Sequence, residues 1–535
     1  MGKIPVRKIF YNGNIITMEE KQPSVEAVGI EGEKIFAVGM LEEVKKVFGS
    51  DYDLIDLKGN TLLPGFIDSH LHPIAFLFSL LNLDLSKIKS LEELQELLKA
   101  TAEKKSEGEL IIGLKLNEEM FDVPILPTRW DLDTVCPKNP VFISRYDGHI
   151  GIGNTKALEL VGITAETEVL DHGEIRKNEE GELTGVIGEN ALVNIFPEII
   201  KKMMPKPEIL QEVAQNGFLI LAQKGITSLH GIFSLELETP LYRLIQNDIL
   251  QNWYGIIITP KPKKLRRLKK APLDGGKEDS KFKIGGWKGF LDGTLGAKTA
   301  YMFEPYSDAP DMSGFCVTDE DDIYNQMKLA HEKEFQIAIH TIGDKGNRIC
   351  VDLYKRLLEE FPRENHRHRI EHASMLTSDV IRDIKKYKLI VSSQPPFINS
   401  EYTWLEKRIG KERCKYIYPF RSITQSGVTL VSGSDCPVED PDIILGLHAL
   451  VTRNGFVPEE CLTMEEALKT YTINGAYAAF EENIKGSIKV GKLADIVILD
   501  RNPLEIPDEE IKDIKVVETI VRGKSVYKRL GKDTY

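Results

Sequence analysis

A chain of 535 residues exceeds one ordinary domain, and 42% hydrophobic content with a mean hydropathy of −0.21 describes a globular protein with ample material for a large core. A formal net charge of −13 argues against a nucleic-acid or acidic-membrane surface and says little about a small-molecule substrate. The 6 cysteines lie far apart with no CxxC pair, which excludes a disulfide framework or zinc ribbon and leaves them as expected buried free thiols in a reducing compartment.

The N-terminal MGKIPVRKIFYNGNIITMEE has no apolar signal region and no small-residue cleavage site, and no stretch is long and apolar enough to span a bilayer. A cytoplasmic protein is therefore expected. KIFYNGNIITM, VEAVGIEGEKIFAVG and DYDLIDLKGNTLLP read as short strands separated by Asn-Gly, Glu-Gly and Lys-Gly turns. The other end, GSIKVGKLADIVILD and VVETIVRGKSVYKR, reads alike. Residues 1–64 and 481–535 are thus expected to meet in one small β-sandwich.

Between them, apolar runs alternate with amphipathic stretches, the pattern of βα units. GFIDSHLH, GITSLHGI, WYGIIITP, KGFLDG, QIAIHTIG, HRIEHAS, LIVSSQP and TLVSGSD supply the strands of an expected distorted (β/α)8 TIM-like barrel over residues 65–480. Helices are expected at SLEELQELLKATAEKK, ETPLYRLIQNDI, EDDIYNQMKLAHEKE, NRICVDLYKRLLEEF and SDVIRDIKKY. More than 100 residues separate the first two strands, which calls for an inserted subdomain, placed at about 106–215. Within it GEIRKNEEGELTGVI reads as a β-hairpin, and the charged stretch 261–283 further on reads as a surface loop.

The chemistry begins at GFIDSHLHP. His70 and His72 are two apart at the end of an apolar run, and residues i and i+2 of a strand share a face, so two imidazoles converge as a divalent metal requires. A lone HxH also fits two solvent-facing histidines. QIAIHTIGD, HRIEHAS and TLVSGSD then place His340, His372 and Asp435 where three further apolar runs stop, at the expected mouth of a barrel. In WKGFLDGTLGAKTA, Lys288 opens a candidate strand. Such a lysine is commonly a surface or ion-pair residue, but a buried one loses its charge readily and its neutral amine adds carbon dioxide to give a carbamate able to bridge two cations.

HLH, KGFLDGTLGAKTA, HTIGD, RIEHA and GSDCPV, in this order, resemble the amidohydrolase superfamily, and in particular its YtcJ-like branch, which includes N-substituted formamide deformylase. LPGFIDSHLH, RYDGHIGIGNTKAL and GKLADIVILD extend the resemblance over essentially the whole chain. The resemblance implies that His70, His72 and Asp435 bind one metal, that His340 and His372 bind the second, and that carboxylated Lys288 bridges them, with Glu189 in VIGEN as the rival bridge. It implies a hydroxide shared by the metals as nucleophile, with Asp435 carrying its proton. The cofactors expected are two divalent ions, Zn²⁺ first and Co²⁺, Mn²⁺ or Fe²⁺ also suited, with carbon dioxide as the carbamate on Lys288.

His149 and Tyr146 in the insertion, and His230 at the end of the second strand, are candidate substrate contacts, although an ordinary loop, packing or structural role fits each. Trp130 reads the same way. Asp292 and its glycines read as a plain turn, Cys436 as packing, and His172, His331, His366, His368 and His448 as structural or surface residues. The expected reaction is hydrolysis of a C–N bond in an amide, formamide or cyclic amide. An ester, lactone or phosphoester hydrolase on the same centre, and a non-catalytic scaffold that keeps the fold, are the alternatives. A small-molecule substrate is expected, with no nucleic acid and no membrane, and a homo-oligomer is left open.

Overall fold

The computed structural model describes residues 7–146, 150–168, 173–188, 206–235, 238–259, 271–272 and 281–530. It divides into two compact units, one of Met1–Ile74 with Ala214–Tyr535 and one of Ala75–Val213.

In the first unit, residues from both ends build two sheets. One runs in the order Lys34–Gly39, Ala27–Glu31, Arg7–Tyr11, Asp53–Asp56. The other runs Lys524–Lys528, Val516–Val521, Ile496–Leu499, Thr61–Pro64, Asn14–Ile16, Ser24–Val25, so a strand from near the start pairs antiparallel with one from near the end. Alternation aims one face of each sheet at the other. Phe10, Val28 and Ile30 from the first sheet and Ile15, Leu62, Ile496, Ile498 and Ile520 from the second form one buried cluster. Each such side chain contributes roughly 1.5–3 kcal/mol on burial. This is the expected sandwich.

The rest of the unit is the barrel. Its strands are β1 (Phe66–Leu71), β2 (Ile226–Ser234), β3 (Asn252–Ile258), β4 (Phe282–Phe290), β5 (Gln336–Thr341), β6 (Arg369–His372), β7 (Ile390–Ser393) and β8 (Leu430–Ser432). They lie in chain order in one parallel sheet. The helices Thr239–Ile245, Glu320–Glu332, Asp344–Glu360 and Ser378–Lys386 form where the sequence predicts them. β8 meets β1 through the segment that follows it. The Asp435 amide donates to His70 O at 2.7 Å, and the Ser434 amide donates to Asp68 Oδ1 at 3.0 Å. Gly433 lies so close that a Cβ there would meet the His70 nitrogen at 2.4 Å, so only glycine fits.

Three expectations change. β4 starts at Phe282, so Lys288 lies near its C-terminal end and does not open it. Phe282 packs on Tyr242 and Trp253, which draws the strand back into what the charge pattern marks as loop, and Ala271–Pro272 pairs against β4 as well. The helix Leu91–Ala102 belongs to the second unit, because Leu94 and Leu98 pack there with Ile111 and Leu132. All the cysteines are free as expected, but Cys316 and Cys461 are only partly buried.

The second unit holds a sheet in the order Gly173–Lys177, Leu183–Gly188, Ile150–Gly153, Val141–Arg145, Ile111–Leu116, Leu83–Asp84. Its first two strands are the expected hairpin, with Gly181 at φ +81° in the turn. Among the described residues no helix is long and apolar enough to cross a membrane.

Three histidines lie together near the N-terminal ends of β5 and β6. His368 Nδ1 accepts from the Ile337 amide at 2.9 Å, and its Nε2 faces His331 Nδ1 at 2.9 Å. His331 Nε2 reaches Phe361 O at 3.0 Å. His366 Nδ1 accepts from the His368 amide at 2.9 Å, and its Nε2 reaches Tyr387 O at 3.0 Å. Every ring nitrogen of the trio is used, and the pattern fixes all of them as neutral imidazoles.

Candidate metal centre

Ladder register sets out the side chains that face the barrel interior. Lys288, Ala338, Arg369 and Ile390 lie side by side across β4 to β7, and Phe290, His340, Glu371 and Ser392 form the next row toward the strand ends. From β1, His70 points into the same space. Its Nε2 lies 3.0 Å from Lys288 Nζ and 3.3 Å from Asp435 Oδ1, while His72 Nε2 lies 3.2 Å from the same carboxylate oxygen. The rings of His70 and His340 have their centroids 4.8 and 4.3 Å from that of His372.

His372 follows Glu371 directly, so strict alternation would turn it away from the interior. Its φ of +69° departs from the strand and lets it join the cluster, and Asp435 at φ +58° breaks regular geometry in the same way. A left-handed backbone at a residue other than glycine costs of order 1–3 kcal/mol and concentrates at functional positions.

Burial dominates the electrostatics. It lowers the His72 and Lys288 pKa values and takes His340 down to about 3 and His372 well below the usual histidine range, so the imidazoles are neutral. Burial alone would raise the Asp435 carboxyl, but His70 and His72 beside it hold it well below the ordinary range. His340 Nε2 lies 3.2 Å from Gly293 O, and donating there leaves Nδ1 with a free lone pair.

The cluster suits a cation. Donor atoms of His70, His372 and Asp435 lie within 4.8 Å of one another. His372 Nδ1 is buried with no hydrogen-bond partner, which is costly unless something accepts its lone pair. Neutral imidazoles with one carboxylate form a donor set for zinc and other first-row divalent metals.

The amidohydrolase family model matches residues 53–527. The chain belongs to the amidohydrolase family. YtcJ of Bacillus subtilis (strain 168), named as an amidohydrolase, is 28% identical over 98% of this chain and 100% of its own length. N-substituted formamide deformylase of Arthrobacter pascens is 26% identical over 97% of this chain and 98% of its own. The crystal structure of an uncharacterized metal-dependent hydrolase from Pyrococcus horikoshii OT3 superimposes with a TM-score of 0.78 at 28% identity, covering 94% of this chain and 99% of that one. This chain is accordingly an amidohydrolase-family metal-dependent hydrolase.

In this amidohydrolase His70, His72, Lys288, His340, His372 and Asp435 are gathered at the strand ends. His230 is buried inside the barrel, where its Nδ1 faces Arg369 Nη1 at 3.0 Å. Tyr146 lies in the second unit, its amide bonded to Leu116 O at 2.9 Å and the Arg145 guanidinium 4.9 Å over its ring. Trp130, in that unit, is largely exposed beneath the Arg129 guanidinium. His149, His172 and Glu189 lie outside the described residues.

Asp292 is more than a turn residue. Its carboxylate accepts from the amides of Tyr301 at 2.9 Å, Ile342 at 2.9 Å and Gly343 at 2.8 Å, tying the loop after β4 to the end of β5 beside His340. Burial pushes it up to about 7. Sequence reading also passes over Asp68, Arg369 and Glu371. Asp68 shares the parity of His70 and His72, a signal of a common face. Arg369 and Glu371 share a face two residues apart in an otherwise apolar barrel strand, the pattern of a buried ion pair.

Proposed function

We propose that this amidohydrolase cleaves a C–N bond in a small-molecule amide, formamide or cyclic amide at a centre of two divalent cations, Zn²⁺ first and Co²⁺, Mn²⁺ or Fe²⁺ also suited. The observation that carries the proposal is the convergence of His70, His372 and Asp435 donors within 4.8 Å, beside a buried Lys288 whose Nζ is 3.0 Å from His70 Nε2. In this reading His70, His72 and Asp435 would hold one ion, and His340 and His372 would hold the other. Lys288, as a carbamate, would contribute oxygen ligands to both. Its Nζ, in the neutral form that burial favours, would form an N–C bond to carbon dioxide and pass one proton to water, leaving an anion with two oxygen donors.

When bound, such cations polarise a scissile carbonyl and lower the pKa of water. The protein side chains supply the rest. Asp435 is a carboxylate close to both His70 and His72, so it takes a proton from the attacking water and returns it to the departing nitrogen. Burial of His70, Lys288 and His372 shields these groups from bulk water and strengthens their electrostatic interactions. The preference for an amide is supported by the likeness to N-substituted formamide deformylase over nearly the whole chain.

The test has two parts. Elemental analysis of purified protein is expected to find up to two divalent ions per chain, and protein that holds none and regains none on soaking contradicts the reading. A panel of N-formyl, N-acyl and cyclic amides is then run beside matched esters, lactones and phosphoesters. Turnover of amides supports the proposal, and turnover confined to the oxygen esters overturns the C–N assignment while keeping the metal centre.

A further inference from the structure

The two nitrogens of His70 face different chemistry. Nδ1 is hydrogen-bonded to Glu371 Oε2, while Nε2 faces Lys288 Nζ at 3.0 Å. A carboxylate only accepts, so Nδ1 is the nitrogen that donates to Glu371, and Nε2 is the one that faces Lys288 and Asp435. Glu371 is completely buried, and its Oε1 lies 2.8 Å from Arg369 Nε. Arg369, equally buried, reaches His230 Nδ1 at 3.0 Å, Ser69 O at 2.6 Å and Ser392 Oγ at 2.7 Å. One connected set of buried polar groups thus runs from β2 through β6 to β1, with its far end at His230 and its near end on a candidate ligand.

We propose that Glu371 is a positioning residue for the metal centre. It locks His70 in the Nδ1–H tautomer, with Nε2 aimed at the ligand cluster, and Arg369, braced by His230, holds Glu371 in place. His230 in this assignment acts through Arg369 and Glu371 and does not touch substrate. The proposal rests on the reading that His70 binds a divalent cation.

The physical need is specific. A ligating imidazole must offer a lone pair on the correct nitrogen, and a carboxylate on the other nitrogen fixes both tautomer and ring orientation. A buried carboxylate also needs a counter-charge close by to be held in place. Arg369 supplies that counter-charge, with its Nε 2.8 Å from Glu371 Oε1.

Metal-free protein, prepared with a chelator, provides the test. Zinc affinity is measured by competition with a chromophoric chelator, and the His70 tautomer is read from ¹⁵N-histidine spectra, its signal assigned by loss in His70→Ala. Two variants are compared with wild type: Glu371→Gln, which keeps the shape but not the charge, and the double variant Arg369→Met with Glu371→Leu, which replaces the ion pair by an apolar pair of similar bulk. Cooperative thermal melts establish that each is folded. We expect wild-type His70 as Nδ1–H, the double variant shifted to Nε2–H, and zinc affinity lower by about tenfold in Glu371→Gln and about 100-fold in the double variant. Zinc affinity within twofold of wild type in either folded variant, or an unchanged His70 tautomer in the double variant, overturns the proposal alone. Wild-type protein that binds no zinc overturns the proposal and the metal reading together.

Discussion

Asp68 and Ser434 join the first barrel strand to the segment after the last. Asp68 Oδ1 accepts from the Ser434 amide at 3.0 Å and from the His70 amide at 3.1 Å, and Oδ2 accepts from the Ser434 hydroxyl at 2.6 Å. Asp68→Ala would leave two buried amides without an acceptor, at about 1–3 kcal/mol each. A loss of roughly 3 kcal/mol in urea unfolding is expected, with about 1 kcal/mol for Ser434→Ala. A loss under 0.5 kcal/mol for Asp68→Ala would show that the clasp does not hold the seam.

Lys288 and Asp435 should fail differently. Lys288→Ala removes the proposed bridging anion and is expected to lose metal and activity together, with partial return of both in buffer containing a short carboxylic acid. Asp435→Asn keeps an oxygen donor but cannot accept a proton, so most of its metal should stay while kcat falls by about 10²–10⁴-fold. Metal titration beside kinetics separates the two. Should Lys288→Ala hold two ions and turn over near normally, the carbamate is wrong and Glu189 becomes the residue to replace.

Asp292→Ala should act on geometry. It removes the acceptor for the amides of Tyr301, Ile342 and Gly343. Stability is expected to drop by about 3 kcal/mol, and kcat to fall more than KM rises, because the end of β5 carries His340. The two readouts are chemical denaturation and steady-state kinetics on the same preparation. A variant as stable as wild type would return Asp292 to the status of a turn residue.

The trio of His331, His366 and His368 gives a dependence of stability on pH. An unfolded histidine takes up a proton near pH 6.5. Burial, helped by the nearby Arg363 charge, lowers all three in the fold, His366 to about 4. Below pH 6.5 the unfolded chain therefore binds more protons, and stability declines as pH falls, by about 1.4 kcal/mol per pH unit per histidine until the folded groups titrate. Above pH 6.5 the trio contributes no slope. His366→Gln can keep the contacts to the His368 amide and Tyr387 O, so it should flatten the slope by one histidine's share between pH 6.5 and 5. Urea midpoints across that window measure it, and an unchanged slope would mean that His366 is not the resisting group.

Much of the fold is legible from chain pattern, and so is the set of residues that converge on the candidate centre. His70 and His72 share strand parity, and His340, His372 and Asp435 mark the ends of apolar runs, which is where β1, β5, β6 and β8 stop. Lys288 was found, but its place in its strand was not, because the glycines and lysines of FKIGGWK hide a buried strand whose start is fixed by Phe282 packing on Tyr242 and Trp253. Arg369 and Glu371 escaped notice because charged residues ordinarily face water. Their burial depends on each other and on His230 and His70, partners that only the closed sheet supplies. The positive φ at His372 and Asp435 is likewise not readable from the sequence, since a residue other than glycine adopts it only at particular positions.

The join between Asp68 and Ser434 spans 366 positions of sequence. A ribosome making this chain must therefore deliver nearly the whole barrel before Asp435 can meet His70. In the proposed centre, His70 and His72 would lack the Asp435 carboxylate until then. Metal capture at the proposed centre would then report completion of the barrel. An ion that binds only the finished fold adds about 2.7 kcal/mol to its stability when its free concentration is 100 times the dissociation constant. Truncation before Asp435 should forfeit that increment entirely, even where the earlier strands survive, so a cell's supply of divalent metal would discriminate between finished and interrupted copies.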